Sequence, residues 1–150
     1  MTDTNTEHTD AGGNLVERTV RISARRETVW KYWTEPARMR EWWGVAAELD
    51  PRPGGVCRIE MAGGPIMRGE YVELDPFDRL VFTFGYEPTE QAPPIAPGAT
   101  RVEVTFVEEA GDTVMTLRHT GIPNGFAVLH AAGWSSHLPA LITAASASST

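Results

Sequence analysis

Apolar positions fall in two rhythms along this chain. From Leu15 to Ile22 (LVERTVRI) they alternate weakly with polar ones and include β-branched residues, which predicts a first strand. ARRETVWKYW then changes period: Val29, Trp30 and Trp33 share one helical face, and Glu27 lies in the first turn, where the helix dipole favours an acid. Thr34, Glu35 and Pro36 stop that helix, and Pro36 suits the first position of another. The second helix is short, with Met39 and Trp42 or Trp43 as its apolar stripe, and Gly44 ends it.

Strand rhythm dominates the middle of the chain. Val45 to Leu49, Val56 to Met61, Ile66 to Leu74 and Leu80 to Tyr86 are separated by the turns DPRPGG, AGGP and DPFD. EPTEQAPPIAPGA holds four of the eleven prolines and predicts a loop. Arg101 to Val107 and Thr113 to Thr120 predict a hairpin around EEAGD. From about Phe126 to Ala145 the period is helical again, with Leu129, Trp134, Leu138, Leu141 and Ile142 facing inward. Pro139 inside that helix removes a backbone hydrogen bond to Ser135 and predicts a kink or a tightened turn.

The order of elements predicts an α+β fold. A mostly antiparallel curved sheet of about six or seven strands, with two short helices after the first strand, wraps around a long C-terminal helix. One domain spans 15–145, with no internal linker or repeat. The polar, aperiodic start (1–14) carries Asp3, Glu7 and Asp10 without a basic residue and predicts a disordered acidic tail; 146–150 predicts a frayed end.

Charge narrows the partners. A net charge of −7, with the twelve arginines and Lys31 dispersed, argues against nucleic acid and anionic membranes, which need a basic surface. Cys57 is the single cysteine, so no intrachain disulfide forms and a cytoplasmic location is expected. It alternates with Ile59 and Met61, which predicts a buried, inert thiol. No apolar run approaches the ~20 residues of a membrane helix, and the start lacks signal-peptide character.

Candidate chemistry gathers on one face of the sheet. Leu80, Phe82, Phe84 and Tyr86 share a face, as do Val102, Val104 and Phe106, and Met115, Leu117 and His119 continue that register. Such a wall stabilises the domain whether or not a ligand enters. Arg68 and Glu70 are in phase with Val72 and Leu74; if those face in, both charges point to the concave side or its mouth, where they orient a polar head or pair at the rim. His130 and His137 are seven residues apart and can share a helix face, but no acidic or cysteine ligand has fixed spacing to them, so no metal and no cofactor is expected. His119 is the weak candidate for a general base, with hydrogen bonding to a buried polar atom or a ligand as the plainer role.

Four stretches in order carry a family resemblance: RISARRETVWKYWTEPARMREWW, GEYVELDPFDRLVFTF, TLRHTGIP and HAAGWSSHLPAL. Together they resemble the START/Bet v 1-like (SRPBCC) helix-grip superfamily, most closely the branch named after the activator of the heat-shock protein 90 ATPase. Arg25, where such proteins often carry proline, and Pro139 depart from that pattern. The resemblance implies a cavity between the sheet and the last helix, commonly used for apolar ligands. In that architecture one indole of the Trp42–Trp43 pair goes inward near Trp33 or Trp134, and the other lies across the opening or outside the sheet.

The expected function is therefore binding of a small hydrophobic or aromatic ligand by Trp33, Trp42, Trp43, Arg68, Glu70, Phe82, Phe84, Val104, Phe106, Leu117, His119, Trp134 and Leu138. A polyketide cyclase or aromatase activity and a chaperone ATPase co-regulator acting by protein contact are the alternatives. A homodimer is left open.

Overall fold

Strict alternation of burial along LVERTVRI puts Val16, Arg18, Val20 and Ile22 on one face of its strand, which is the pleat's period of two. Repeated strand after strand, that period gives a sheet with one apolar face that needs covering. The computed structural model describes residues 14–148 in full and 6–9 by backbone. Its elements are β1 (Thr6–Thr9), β2 (Leu15–Ile22), α1 (Arg26–Thr34), α2 (Pro36–Met39), β3 (Ala46–Leu49) and β4 (Val56–Glu60), followed by β5 (Ile66–Asp75), β6 (Arg79–Phe84), β7 (Thr100–Glu109), β8 (Asp112–Thr120) and α3 (Ala127–Ser148). The strands form one sheet in the order β1-β2-β8-β7-β6-β5-β4-β3, with every neighbour antiparallel.

This is the expected α+β fold, a curved antiparallel sheet closed by its last helix. The cover is α3, whose buried residues Ala127, His130, Trp134, Leu138, Leu141 and Ala145 recur at helical spacing. Arg18 stands on the same inner face, 5% exposed, and donates to Ser135 Oγ (3.2 Å) and the Ala131 carbonyl (3.4 Å) of α3. A buried guanidinium is tolerable only with such partners. Thr113 ties the far end by donating to the Ala24 carbonyl at 2.7 Å.

Several expectations are corrected. Within the expected disordered tail, Thr6–Thr9 pairs with β2 in the register Thr6 to Thr19 and Asn14 donates to the Ile122 carbonyl at 2.6 Å; 1–5 and 10–13 lie outside the described residues. The helix expected to fray after 145 continues to Ser148, and it runs through Pro139. Leu129 is half-exposed rather than turned to the core. The second helix ends at Met39, four residues early, and the amides of Trp42 and Trp43 both return to the Met39 carbonyl, at 3.2 and 3.0 Å. That turn frees the two indoles from the fixed angles of a helix or strand, so both are buried, 5% and 4% exposed, instead of one lying outside.

The register of β5 is the largest correction. Tyr71 pairs with Phe82 and Leu74 with Leu80, so the strand carries a bulge between Tyr71 and Glu73. An extra residue reverses the phase. Met67 and Tyr71 therefore face in while Arg68, Glu70 and Val72 face out, although Leu74 packs on the core. Counting back from Leu74 by twos gives the wrong face.

Candidate functional site

The β4–β5 and β6 ends, the turn after α2 and the 87–99 connection meet beside the first half of α3 around a cavity of about 220 Å³. Its aromatic wall is Trp43, Phe84, Tyr86 and Trp134. Met61 and Pro65 come from the β4–β5 turn, Gln91 and Pro93 from the connection, and Leu129, His130, Gly133 and His137 from α3. Spacing on α3 explains the last set: 130, 133, 134 and 137 lie on one helical stripe.

Rings support one another behind this wall. Trp43 stacks on Phe84 with centroids 6.1 Å apart and planes at 11°, and meets Trp134 at 5.0 Å. Trp42 lies behind Trp43 at 5.4 Å and donates its indole N–H to the Tyr32 carbonyl at 2.9 Å. Trp33 touches both indoles and Phe82, and Tyr71 donates to the Trp33 carbonyl at 2.8 Å. Aromatic pairs in such offset geometry add about 0.5–1.5 kcal/mol beyond the area they bury.

The polar atoms form two chains whose directions follow from their ends. Thr100 donates to the Phe84 carbonyl (2.7 Å), so its oxygen accepts from His119 Nε2–H (2.8 Å), and His119 Nδ1 accepts the indole N–H of Trp134 (3.1 Å). His119 is thus a neutral imidazole with both nitrogens engaged. Burial and neighbouring His130 push its pKa down to about 3. It stands behind Phe84 and Trp134, not on the cavity surface, and has no lone pair to offer a substrate.

In the second chain His130 Nδ1–H donates to the Phe126 carbonyl at 2.8 Å, which leaves Nε2 as an acceptor for the Tyr86 hydroxyl at 3.0 Å. Both residues line the cavity. Burial lowers the His130 pKa and raises that of Tyr86 to about 12, so the pair is neutral. His137 is also held below its ordinary pKa by burial while bonded to the Trp42 backbone.

Of the residues expected in the site, Trp43, Phe84 and Trp134 form the wall. Trp33, Trp42, Phe82 and His119 form the layer behind it, and Leu138 is buried in the core. Val104, Phe106 and Leu117 are core, 0–2% exposed, with Phe106 against Trp30 at 5.6 Å. Arg68 and Glu70 are on the opposite face, lining a polar groove with Thr83 and Pro97; Arg68 pairs with Glu87 at 3.1 Å. Tyr86, His130 and His137 were missed as site residues, though the alternation Leu80-Phe82-Phe84-Tyr86 and the shared helix face of the two histidines already pointed to this surface. Gln91 and Pro93 had no signal, because a proline-rich loop discloses nothing of where it returns. Cys57 is buried, its thiol pushed up to about 12 by burial. Among the described residues no helix is long and apolar enough to cross a membrane.

A curved antiparallel sheet gripping a long C-terminal helix, with short helices after its strand β2, is the helix-grip class. The chain belongs to the Activator of Hsp90 ATPase homolog 1-like family, whose sequence model matches residues 23–146. It is similar to CalU16 from Micromonospora echinospora, at 24% identity and TM-score 0.69 over 95% of this chain and 83% of that chain. CV1439 from Chromobacterium violaceum is similar at 22% identity and TM-score 0.76, over 89% and 97%. Ms6760 from Mycobacterium smegmatis gives 19%, 0.75 and 97% of both chains. At these identities the likeness is one of fold. No curated protein matches.

Proposed function

We propose that the chain binds a small hydrophobic or aromatic molecule in the cavity between the sheet and α3. The observation that carries this is a hollow of about 220 Å³ walled by Trp43, Phe84, Tyr86 and Trp134, where a filled core would be more stable. That volume is below the ~300–1,000 Å³ of drug-sized sites, which favours a molecule of one or two rings.

Gly133 supplies the test. It sits mid-helix on the cavity wall, and a Cβ built there meets nothing within 4 Å. Glycine in a helix interior costs roughly 0.5–1 kcal/mol relative to alanine. Gly133→Leu therefore fills the hollow while keeping or raising the melting temperature. In the unsubstituted chain, a panel of one- and two-ring compounds quenches or shifts tryptophan emission, because Trp43 and Trp134 form the wall; Gly133→Leu abolishes the response. A panel without any response, or a response indifferent to Gly133→Leu, rejects this site.

A further inference from the structure

The wiring of the cavity's polar atoms specifies which ligand they can read. His130 Nδ1–H is committed to the Phe126 carbonyl, so Nε2 must accept, and the Tyr86 hydroxyl must spend its single proton there. What Tyr86 has left for a ligand is lone pairs. His137 repeats the logic: one nitrogen bonds to the Trp42 backbone, and the other, in the neutral ring, accepts. Gln91, at the exposed rim, can turn its amide either way. Among the described residues no arginine or lysine lines the cavity.

Resting on the binding role above, we propose that the Tyr86–His130 pair selects a neutral aromatic ligand bearing a hydroxyl or other hydrogen-bond donor, and that the cavity rejects the corresponding carboxylate. A donor finds an acceptor on a residue of the cavity wall. An acceptor-only group of the same size leaves the Tyr86 oxygen unmatched and gains nothing. A carboxylate would be desolvated against aromatic rings and two acceptors with no cation beside it, an unfavourable exchange. Burial keeps His130 and His137 neutral, so neither supplies that cation near pH 7.

The test uses the full chain and four probes of one ring system: naphthalene, naphthol, methoxynaphthalene and naphthoate, titrated by tryptophan fluorescence at pH 7.5. Naphthol binds about three- to ten-fold more tightly than methoxynaphthalene, the worth of one neutral hydrogen bond, and naphthoate binds more than ten-fold more weakly than naphthol. Tyr86→Phe removes the naphthol advantage over methoxynaphthalene. His130→Leu releases the Tyr86 proton, so methoxynaphthalene gains relative to naphthol, a reversal that a merely structural role would not produce; thermal melts confirm that both variants fold. Equal affinities for the four probes, or a naphthol preference surviving Tyr86→Phe, overturn the inference while binding itself stands. If none of the four binds, the binding role falls and this inference with it.

Discussion

His119 shows how completely one side chain can be removed from chemistry by its neighbours. Its imidazole is 0% exposed, takes the Trp134 indole proton on Nδ1 and gives its own to Thr100. Burial first, and neighbouring His130 second, push its pKa to about 3 in the fold against an ordinary 6.5. Between those values the unfolded chain binds a proton that the native one refuses. Stability therefore falls as pH drops from 6.5 towards 3, by up to about 1.4 kcal/mol per pH unit for this residue. His130 and His137 shift in the same direction and steepen the slope. Melting temperature should decline on going from pH 7 to pH 5, and His119→Gln, which can still accept from Trp134 and donate to Thr100, should flatten the decline. An undiminished slope in that variant would assign the acid sensitivity elsewhere.

At the scale of elements, the 87–99 connection completes the cavity, and its anchorage is visible at both ends. Glu87 accepts from Arg58 (2.8 Å) and Arg68 (3.1 Å), which hold its carboxylate below the usual range, and Tyr86 N–H donates to the Ile95 carbonyl at 2.9 Å. Gly85 lets the return segment lie against the strand: a Cβ there would sit 1.8 Å from the Ala96 carbonyl oxygen. Gly85→Ala should cost about 1–3 kcal/mol by overpacking and open the connection; a lower denaturation midpoint and new protease cleavage within 87–99 are the readouts, and an unchanged midpoint with intact protection would refute the anchorage. Elements governed by local pattern were legible in advance. Seven strands, three helices and the inward faces of β6, β7 and β8 follow from periods of two and 3.6. What defeated the reading was non-periodic. The bulge at Val72 turned Arg68 and Glu70 to the wrong face, the turn after Met39 buried both indoles, and the proline-rich connection hid Gln91 and Pro93. The wall was therefore half legible: Trp43, Phe84 and Trp134 were named, whereas Tyr86 and His130 were noticed only as members of a pattern.

Across the whole molecule the sheet is open, with β1 at one edge and β3 at the other. β1 is short and covers the backbone edge of β2, whose partner on the other side is β8. Deleting residues 1–13 strips the four partners of Val16–Thr19 and leaves β2 as an unpaired edge, a template for further strands. The truncated chain should self-associate with rising concentration in light scattering while its far-ultraviolet spectrum stays native-like; a monodisperse monomer would show that β1 does not shield the edge.

The hydrogen-bond chain from Trp134 through His119 and Thr100 ends on the backbone of β6. An indole moored to a strand is held in place, whereas Leu129 and Gln91, also on the lining, are exposed to solvent. The hollow thus joins a wall fixed by hydrogen bonds to a solvent-exposed rim. If the proposed binding role holds, homologous guests that differ at the leading end should be sorted by a single atom's length, while those that differ only in what trails behind should be admitted alike.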